Sequence, residues 1–269
     1  MKFKPQVYLF PFMLSLITLI SHRVLISIEN QIPELRIIPE PYAPLDAVVF
    51  LTLTILSSLV LLLILKQSKV LLRLILTFII LILTFLTTSI YREATLQAIG
   101  LNLLPPYGLC IDVLITVTMA LSILYKLNIV HSIILFLTMV GIGCLLDFSI
   151  PSFSTKIVLL IIYSAFDVFS AYKGFLKHFF KLSSRDAFSI FLIKIDKLAV
   201  GSGDIILYSM ILSLSLDFGM IAFMMVFLGI STGFFIDLRV LSRYKMIPGL
   251  PIPVALSLIG LLIYNLLFS

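Results

Sequence analysis

Charge is scarce in this sequence. Only 12% of its 269 residues are Asp, Glu, Lys or Arg, while 61% are hydrophobic, and a soluble domain carries about twice that share of charge. A water-soluble fold is excluded. Long polar stretches are missing too, so apolar runs follow one another from end to end and leave no room for a soluble domain. The chain reads as one membrane domain over residues 1–269. Cysteine is nearly absent: Cys110 and Cys144 both fall in apolar segments and read as buried free thiols, against a disulfide framework or a metal centre. A cleavage site is lacking as well. Lys2 and Lys4 precede an apolar run from Val7 to Ile20 as in a secretory signal, but no small-x-small pattern follows, and apolar character resumes beyond His22 and Arg23 through Ile28. An uncleaved first span is expected. The net charge of +6 is spread over short loops instead of one face, so no nucleic-acid partner is expected and membrane orientation explains it.

What is present is a series of spans, expected at residues 7–28, 45–65, 70–90, 109–125, 129–146, 157–172, 198–217, 219–238 and 248–268. The fold class is therefore an all-α polytopic membrane protein of about nine transmembrane helices. Pro33, Pro39, Pro41 and Pro44 break the chain after the first span, Lys66 to Lys69 after the second, and Pro105 with Pro106 after the third. Fifteen of the Lys and Arg residues fall on one side of this arrangement, among them Lys2, Lys4, Lys66, Lys69, Arg73, Lys126, Arg239, Arg243 and Lys245. Arg23, Arg36, Arg92 and Lys156 fall on the other. The positive-inside rule then places the N-terminus in the cytoplasm and the C-terminus outside.

An ionisable residue inside a span is expensive and is by default a functional candidate. Asp46, Asp147, Asp217 and Asp237 sit at span ends, Asp186 and Asp196 in the long sixth loop, and the Glu residues outside the apolar runs. Asp112, Asp167 and Asp204 remain. Asp167 lies six residues before Lys173, and Asp204 seven after Lys197, so both carboxylates sit ~9–10 Å below the cytoplasmic interface on antiparallel neighbours. They can face each other. Asp112 lies at the outer end of the fourth span, too far along the bilayer normal to join them. Two carboxylates in contact cannot both ionise cheaply and share one proton. Such a pair can activate a water and polarise a carbonyl as in an aspartyl protease; the same pair also serves in cross-helix bonding or as a proton relay.

Two short motifs accompany the carboxylates. Asp204 ends Gly201-Ser202-Gly203-Asp204, whose glycines let another backbone approach the acid closely. Pro248-Gly249-Leu250-Pro251 opens the last span on the same side of the membrane. A proline-bounded turn there leaves backbone groups unpaired at membrane depth, tolerable where they line a cavity, although prolines at an ordinary helix start look the same.

Together these residues resemble the presenilin and signal-peptide-peptidase family of intramembrane aspartyl proteases, whose signatures are Tyr-Asp on the sixth span, Gly-x-Gly-Asp on the seventh and Pro-Ala-Leu-Pro at the ninth. Phe166 stands at the Tyr position and Gly249 at the Ala position. The resemblance is dense from about residue 157 to the C-terminus and rests on topology before that. It implies that Asp167 and Asp204 are catalytic and that Gly201, Gly203, Pro248, Gly249, Leu250 and Pro251 form the substrate site. Residues 1–146 would be a helical scaffold, and 157–269 the catalytic spans with a cytoplasmic loop at 173–200. It further implies transmembrane helices or signal-peptide remnants as substrates, no metal and no cofactor, and a place in the cell membrane of an archaeon or other microbe, with homo-oligomers compatible.

Other signals compete. Prepilin peptidases also use Gly-x-Gly-Asp, but usually with fewer spans and a differently placed first Asp. A proton-coupled transporter could use the same carboxylates, yet no internal repeat is visible. Gly229-Ile230-Ser231-Thr232-Gly233 fits a nucleophile elbow, but His22, His131 and His178 lie near span ends or in a loop, so small-residue helix packing is the expected role. Residues 187–195, with Phe188, Ile190, Leu192 and Ile193, are β-prone. They read either as a strand that pairs with extended substrate or as an interfacial segment with Lys177, Lys181, Arg185, Lys194 and Lys197 near headgroups.

Overall fold

The computed structural model of the chain describes residues 4–32, 34, 45–101, 105–172, 189–195, 198–242 and 248–268. After a helical turn at Pro5–Tyr8, nine longer helices follow within them: α1 (Phe10–Leu25), α2 (Leu45–Gln67), α3 (Lys69–Ile99), α4 (Pro105–Leu124), α5 (Asn128–Ser149), α6 (Phe153–Tyr172), α7 (Ser202–Leu216), α8 (Met220–Leu241) and α9 (Pro251–Phe268). Each overlaps one expected span. Six stretches among the described residues are long and apolar enough to cross a membrane: Phe10–Gln31, Val70–Ile99, Pro106–Leu124, Asn128–Ser149, Met220–Leu241 and Pro251–Phe268. The chain is an integral, multi-pass membrane protein.

Local chemistry sets the helix ends. Ser68 caps α3 by accepting a hydrogen bond from the Leu71 amide at 3.2 Å. Gly100, at φ 71°, ends it in the left-handed conformation, and the Leu101 amide returns to the Leu96 carbonyl. Helix α3 thus runs nine residues past the expected end at 90, because Arg92 does not interrupt it. The Arg92 guanidinium lies 3.0 Å from Asp112 on α4, which neutralises both charges and accounts for the buried Asp112.

Two expectations need correction. Residues 198–201 do not begin the seventh span but form a strand, β2 (Leu198–Gly201), paired antiparallel with β1 (Leu192–Ile195) so that Leu192 faces Gly201 and Ile195 faces Leu198. Among the described residues the fold is therefore helical with one hairpin. Alternating burial, with Leu198 and Val200 inward and Ala199 outward, is a strand period that a hydropathy window reads as the start of a helix. The second correction is Cys110, which is exposed on α4, whereas Cys144 is buried on α5 as expected. Phe188, Lys177, Lys181, Arg185 and Lys197 lie outside the described residues.

Helix α7 is the axis of the bundle. Every residue from Leu207 to Ser215 is buried, the pattern of a helix surrounded on all sides. Two of its buried hydroxyls are satisfied within the helix, Ser209 donating to the Ile205 carbonyl at 2.7 Å and Ser215 to Leu212 at 2.6 Å, while Ser213 Oγ lies 2.9 Å from His22 Nδ1 of α1. Gly143 of α5 permits the closest approach, since a methyl there would fall 2.4 Å from the Ile206 carbonyl oxygen. At 15 residues, α7 is only ~22 Å long. Its first turn, which carries Asp204, follows directly on the hairpin at Gly201.

Candidate active site

Asp167 lies on the last turns of α6 and Asp204 in the first turn of α7. The turn at 248–250, just before α9, lies between them. The Leu250 amide donates to Asp167 Oδ2 at 3.1 Å, and the Gly249 amide faces the same carboxylate. On its other side Gly249 abuts Asp204: a Cβ built at residue 249 would lie 2.7 Å from Asp204 Oδ2 and 3.2 Å from its Cγ. One residue thus touches both carboxylates. Leu250 is buried, Pro248 and Pro251 bracket the turn, and Pro251 opens α9 at a position where its missing amide hydrogen costs nothing.

The glycines of the Gly-x-Gly-Asp run differ in role. Gly201 ends β2 in ordinary contact with Asp204, whose Oδ2 lies 3.4 Å from a built Cβ, whereas Gly203 faces open space with nothing within 4 Å. Gly201 therefore shapes the wall, and Gly203 leaves a gap beside the acid through which another backbone can approach.

Two residues join the site that sequence reasoning did not single out. Tyr208, one turn beyond Asp204 on the same face of α7, donates a short hydrogen bond from its hydroxyl to the Gly249 carbonyl. It locks the turn to the central helix. Asp237 on α8 is buried, its Oδ2 has no partner among the described residues, and its charge acts on both Asp167 and Asp204. Its position near a span end hid it. The telling signal was the four-residue step from Gly233, which packs a built Cβ 2.4 Å from Pro253 Cα and so turns that face of α8 toward the start of α9. A third buried carboxylate whose charge acts on two others is destabilising by about 1 kcal/mol or more. Asp237→Asn keeps the shape and removes the charge, so its thermal midpoint should rise by ~2–4 °C in a melt of both proteins in one detergent. A fall would show that Asp237 has a partner holding it.

The remaining candidates find ordinary roles. Ser231 is buried and its hydroxyl has no partner among the described residues. The described histidines are engaged elsewhere: His22 Nδ1 lies 2.9 Å from Ser213 Oγ, and His131 Nε2 lies 3.0 Å from the Ile190 carbonyl. His178 lies outside the described residues. Gly229 and Gly233 press α8 onto α9 as small packing residues, with a Cβ at 229 falling 2.7 Å from the Ser257 amide. At the far end of α7, His22, Asp147 and Asp217 bring one ligand atom each within 4.8 Å of one another. Lys156 Nζ sits 2.7 Å from Asp147 Oδ1 and already supplies the cation there.

This fold is shared by an intramembrane aspartate protease of the presenilin family. Its structure in a C222 crystal form superposes with a TM-score of 0.68 at 19% identity over 96% of this chain and 97% of that one. A P2 crystal form gives 0.64 at 19% identity over 94% and 96%. No protein-family sequence profile and no curated protein sequence matches the chain. The likeness therefore extends through the N-terminal helices as well as the stretch that carries the motifs.

Proposed function

We propose that the chain is an intramembrane aspartyl protease in which Asp167 and Asp204 form the catalytic dyad. The convergence of both carboxylates on Gly249 carries this reading, and the presenilin-like fold supports it. The ionised member of the pair takes a proton from a water, whose oxygen adds to the scissile carbonyl carbon, while the protonated member donates to the carbonyl oxygen. The tetrahedral species then collapses, breaking the C–N bond as a proton passes to the leaving amine. No covalent intermediate, metal or cofactor is required.

The substrates are transmembrane helices, whose amides are bonded internally and must be released before water can reach the carbonyl. The hairpin offers compensation. The Lys194 amide donates to Ser132 Oγ of α5 at 3.2 Å, so the outer edge of β1 is covered and pairing with substrate falls to the edge of β2. That edge leads directly into Gly201 and Asp204. An unwound substrate segment pairing with β2 regains hydrogen bonds and presents its carbonyl to the dyad. Incubating the purified protein with a panel of transmembrane peptides and mapping products by mass spectrometry tests the reading; intact peptides throughout would overturn it. Tyr208→Phe should lower the cleavage rate about tenfold by leaving the Gly249 carbonyl unpaired. A rate unchanged from the parent would show that the turn holds itself.

In this reading the single membrane domain crosses nine times, with the N-terminus in the cytoplasm, the C-terminus outside and the dyad near the cytoplasmic side of a microbial cell membrane. In a background lacking Cys110 and Cys144, a cysteine placed at 181 should react with an impermeant reagent only from the cytoplasm, and one at 269 only from outside. Labelling of position 269 from the cytoplasm would make the number of crossings even.

A further inference from the structure

On the hairpin end of the bundle, separate from the carboxylates, a cavity of about 200 Å³ is lined by Arg73, Lys126, Lys194, Asn128, His131 and Ser132 together with three further residues, none of them acidic. Among the described residues no carboxylate pairs with Arg73, Lys126 or Lys194. All three are exposed, and an anion entering the recess between them would relieve what repulsion solvent leaves. The recess also receives the start of α5, a 22-residue helix whose N-cap Leu127 offers no side-chain bond. Its first amides are therefore free to donate, at the positive end of the helix. Lys126 itself holds a left-handed backbone at φ 55°, a conformation that glycine would adopt more cheaply.

His131 defines the ligand further. It is 9% exposed, and its Nε2 must carry the hydrogen because the Ile190 carbonyl 3.0 Å away can only accept. Its Nδ1, left as an acceptor, is buried without a partner. Behind these donors, His131 in the wall of the recess holds one unfilled acceptor, a set that suits a group bearing negative oxygens and one hydroxyl once the ring meets it.

We infer that this recess binds a phosphate monoester. A monoester with a second pKa of about 6 keeps one P–OH near that pH. That hydroxyl donates to His131 Nδ1, while the remaining oxygens accept from Arg73, Lys126, Lys194 and the α5 amides. A phosphodiester has no such hydroxyl on phosphorus. The ligand is the headgroup of a monoester lipid or a free phosphate, and the rim favours the lipid. Val70 is 71% exposed, Leu124 74% and Ile129 78%, an apolar surface on which acyl chains can lie. Occupancy also bears on the hairpin. His131 holds the Ile190 carbonyl and Ser132 the Lys194 amide, so a ligand that steadies the start of α5 steadies β1 and, through it, β2. Stimulation of cleavage by this route rests on the protease reading above; binding does not.

The full chain in neutral detergent at about pH 6 should be titrated with dioctanoyl phosphatidic acid, dioctanoyl phosphatidylglycerol, dioctanoyl phosphatidylcholine and inorganic phosphate, reading binding by native mass spectrometry and the thermal midpoint. Phosphatidic acid should bind saturably, at least tenfold tighter than the other two lipids, and Arg73→Gln with Lys126→Gln should weaken it at least tenfold. Free phosphate binding as tightly as the lipid supports the site with a soluble ligand as its source. Lys126→Gly should raise the thermal midpoint without ligand yet weaken binding, a combination that a purely structural lysine would not give. Equal affinity for phosphatidic acid and phosphatidylcholine, or binding unmoved in the double variant, would overturn the site. In the cleavage assay phosphatidic acid should stimulate the parent several-fold and the double variant not at all. Intact binding without stimulation would overturn the link to the hairpin, whereas intact binding with no cleavage of any peptide would count against the protease reading and leave the site standing.

Discussion

Asp167→Asn and Asp204→Asn should each reduce cleavage of a transmembrane peptide by at least about a thousandfold, to the background of the assay. The proposed dyad would divide two proton roles between two groups, and an amide can perform neither in exchange with water. Each variant should nevertheless fold. Asp167 accepts from the Leu250 amide through one oxygen, and an Asn carbonyl oxygen can keep that bond, while Asp204 lies against Gly249 with a side chain of nearly the same size. Comparable thermal midpoints for the parent and both variants would separate lost chemistry from lost structure. Ser231→Ala supplies the contrast and should leave the rate within a few fold, because Ser231 has no described hydrogen-bond partner and no described histidine beside it to act as a base. Robust turnover by either Asn variant, or complete loss in the folded Ser231→Ala protein, would sink the dyad.

Much of this site was legible in the sequence because membrane burial makes charge conspicuous. Asp167 and Asp204 stood out as acids within apolar runs at equal depth, and the helices that carry them overlap the expected spans, although α7 begins at Ser202 and not at 198. Asp112 stood out equally, yet the structure pairs it with Arg92; a cation two turns before the end of α3 looked like a loop residue until its helix was seen to continue. Asp237 shows the converse. Its nearness to a span end made it look solvated, and only the packing of Gly233 against Pro253 turns it inward. Tyr208 was hidden for another reason, since an aromatic residue on a buried helix reads as core unless the group that its hydroxyl meets is known. The start of β2 was missed because four residues with two inward side chains carry too short a period for a window tuned to spans.

Gly249 departs from the alanine of the family that the motif resembles, and the geometry gives the departure a measurable consequence. A Cβ at this position would meet Asp204 Oδ2 at 2.7 Å and Cγ at 3.2 Å, closer than unbonded atoms settle without movement. Nor can the turn retreat freely. Its carbonyl is held by Tyr208 and the following amide by Asp167, so the carboxylate of Asp204 must yield. A single methyl asks for a shift of a few tenths of an ångström, which rotation of the Asp204 side chain can absorb. Gly249→Ala should accordingly retain cleavage within about tenfold of the parent, as alanine at that position in the resembling family implies. A β-branched side chain adds two methyls, of which the turn can direct only one away from the acids. Gly249→Val should then displace Asp204 by about an ångström and lower kcat by about a hundredfold, the scale on which misplacement of a reacting group acts. Initial rates at saturating peptide, with the thermal midpoint of each variant as a check on folding, decide the matter. Full activity in a folded Gly249→Val protein would mean that residue 249 does not separate the two carboxylates when the enzyme turns over.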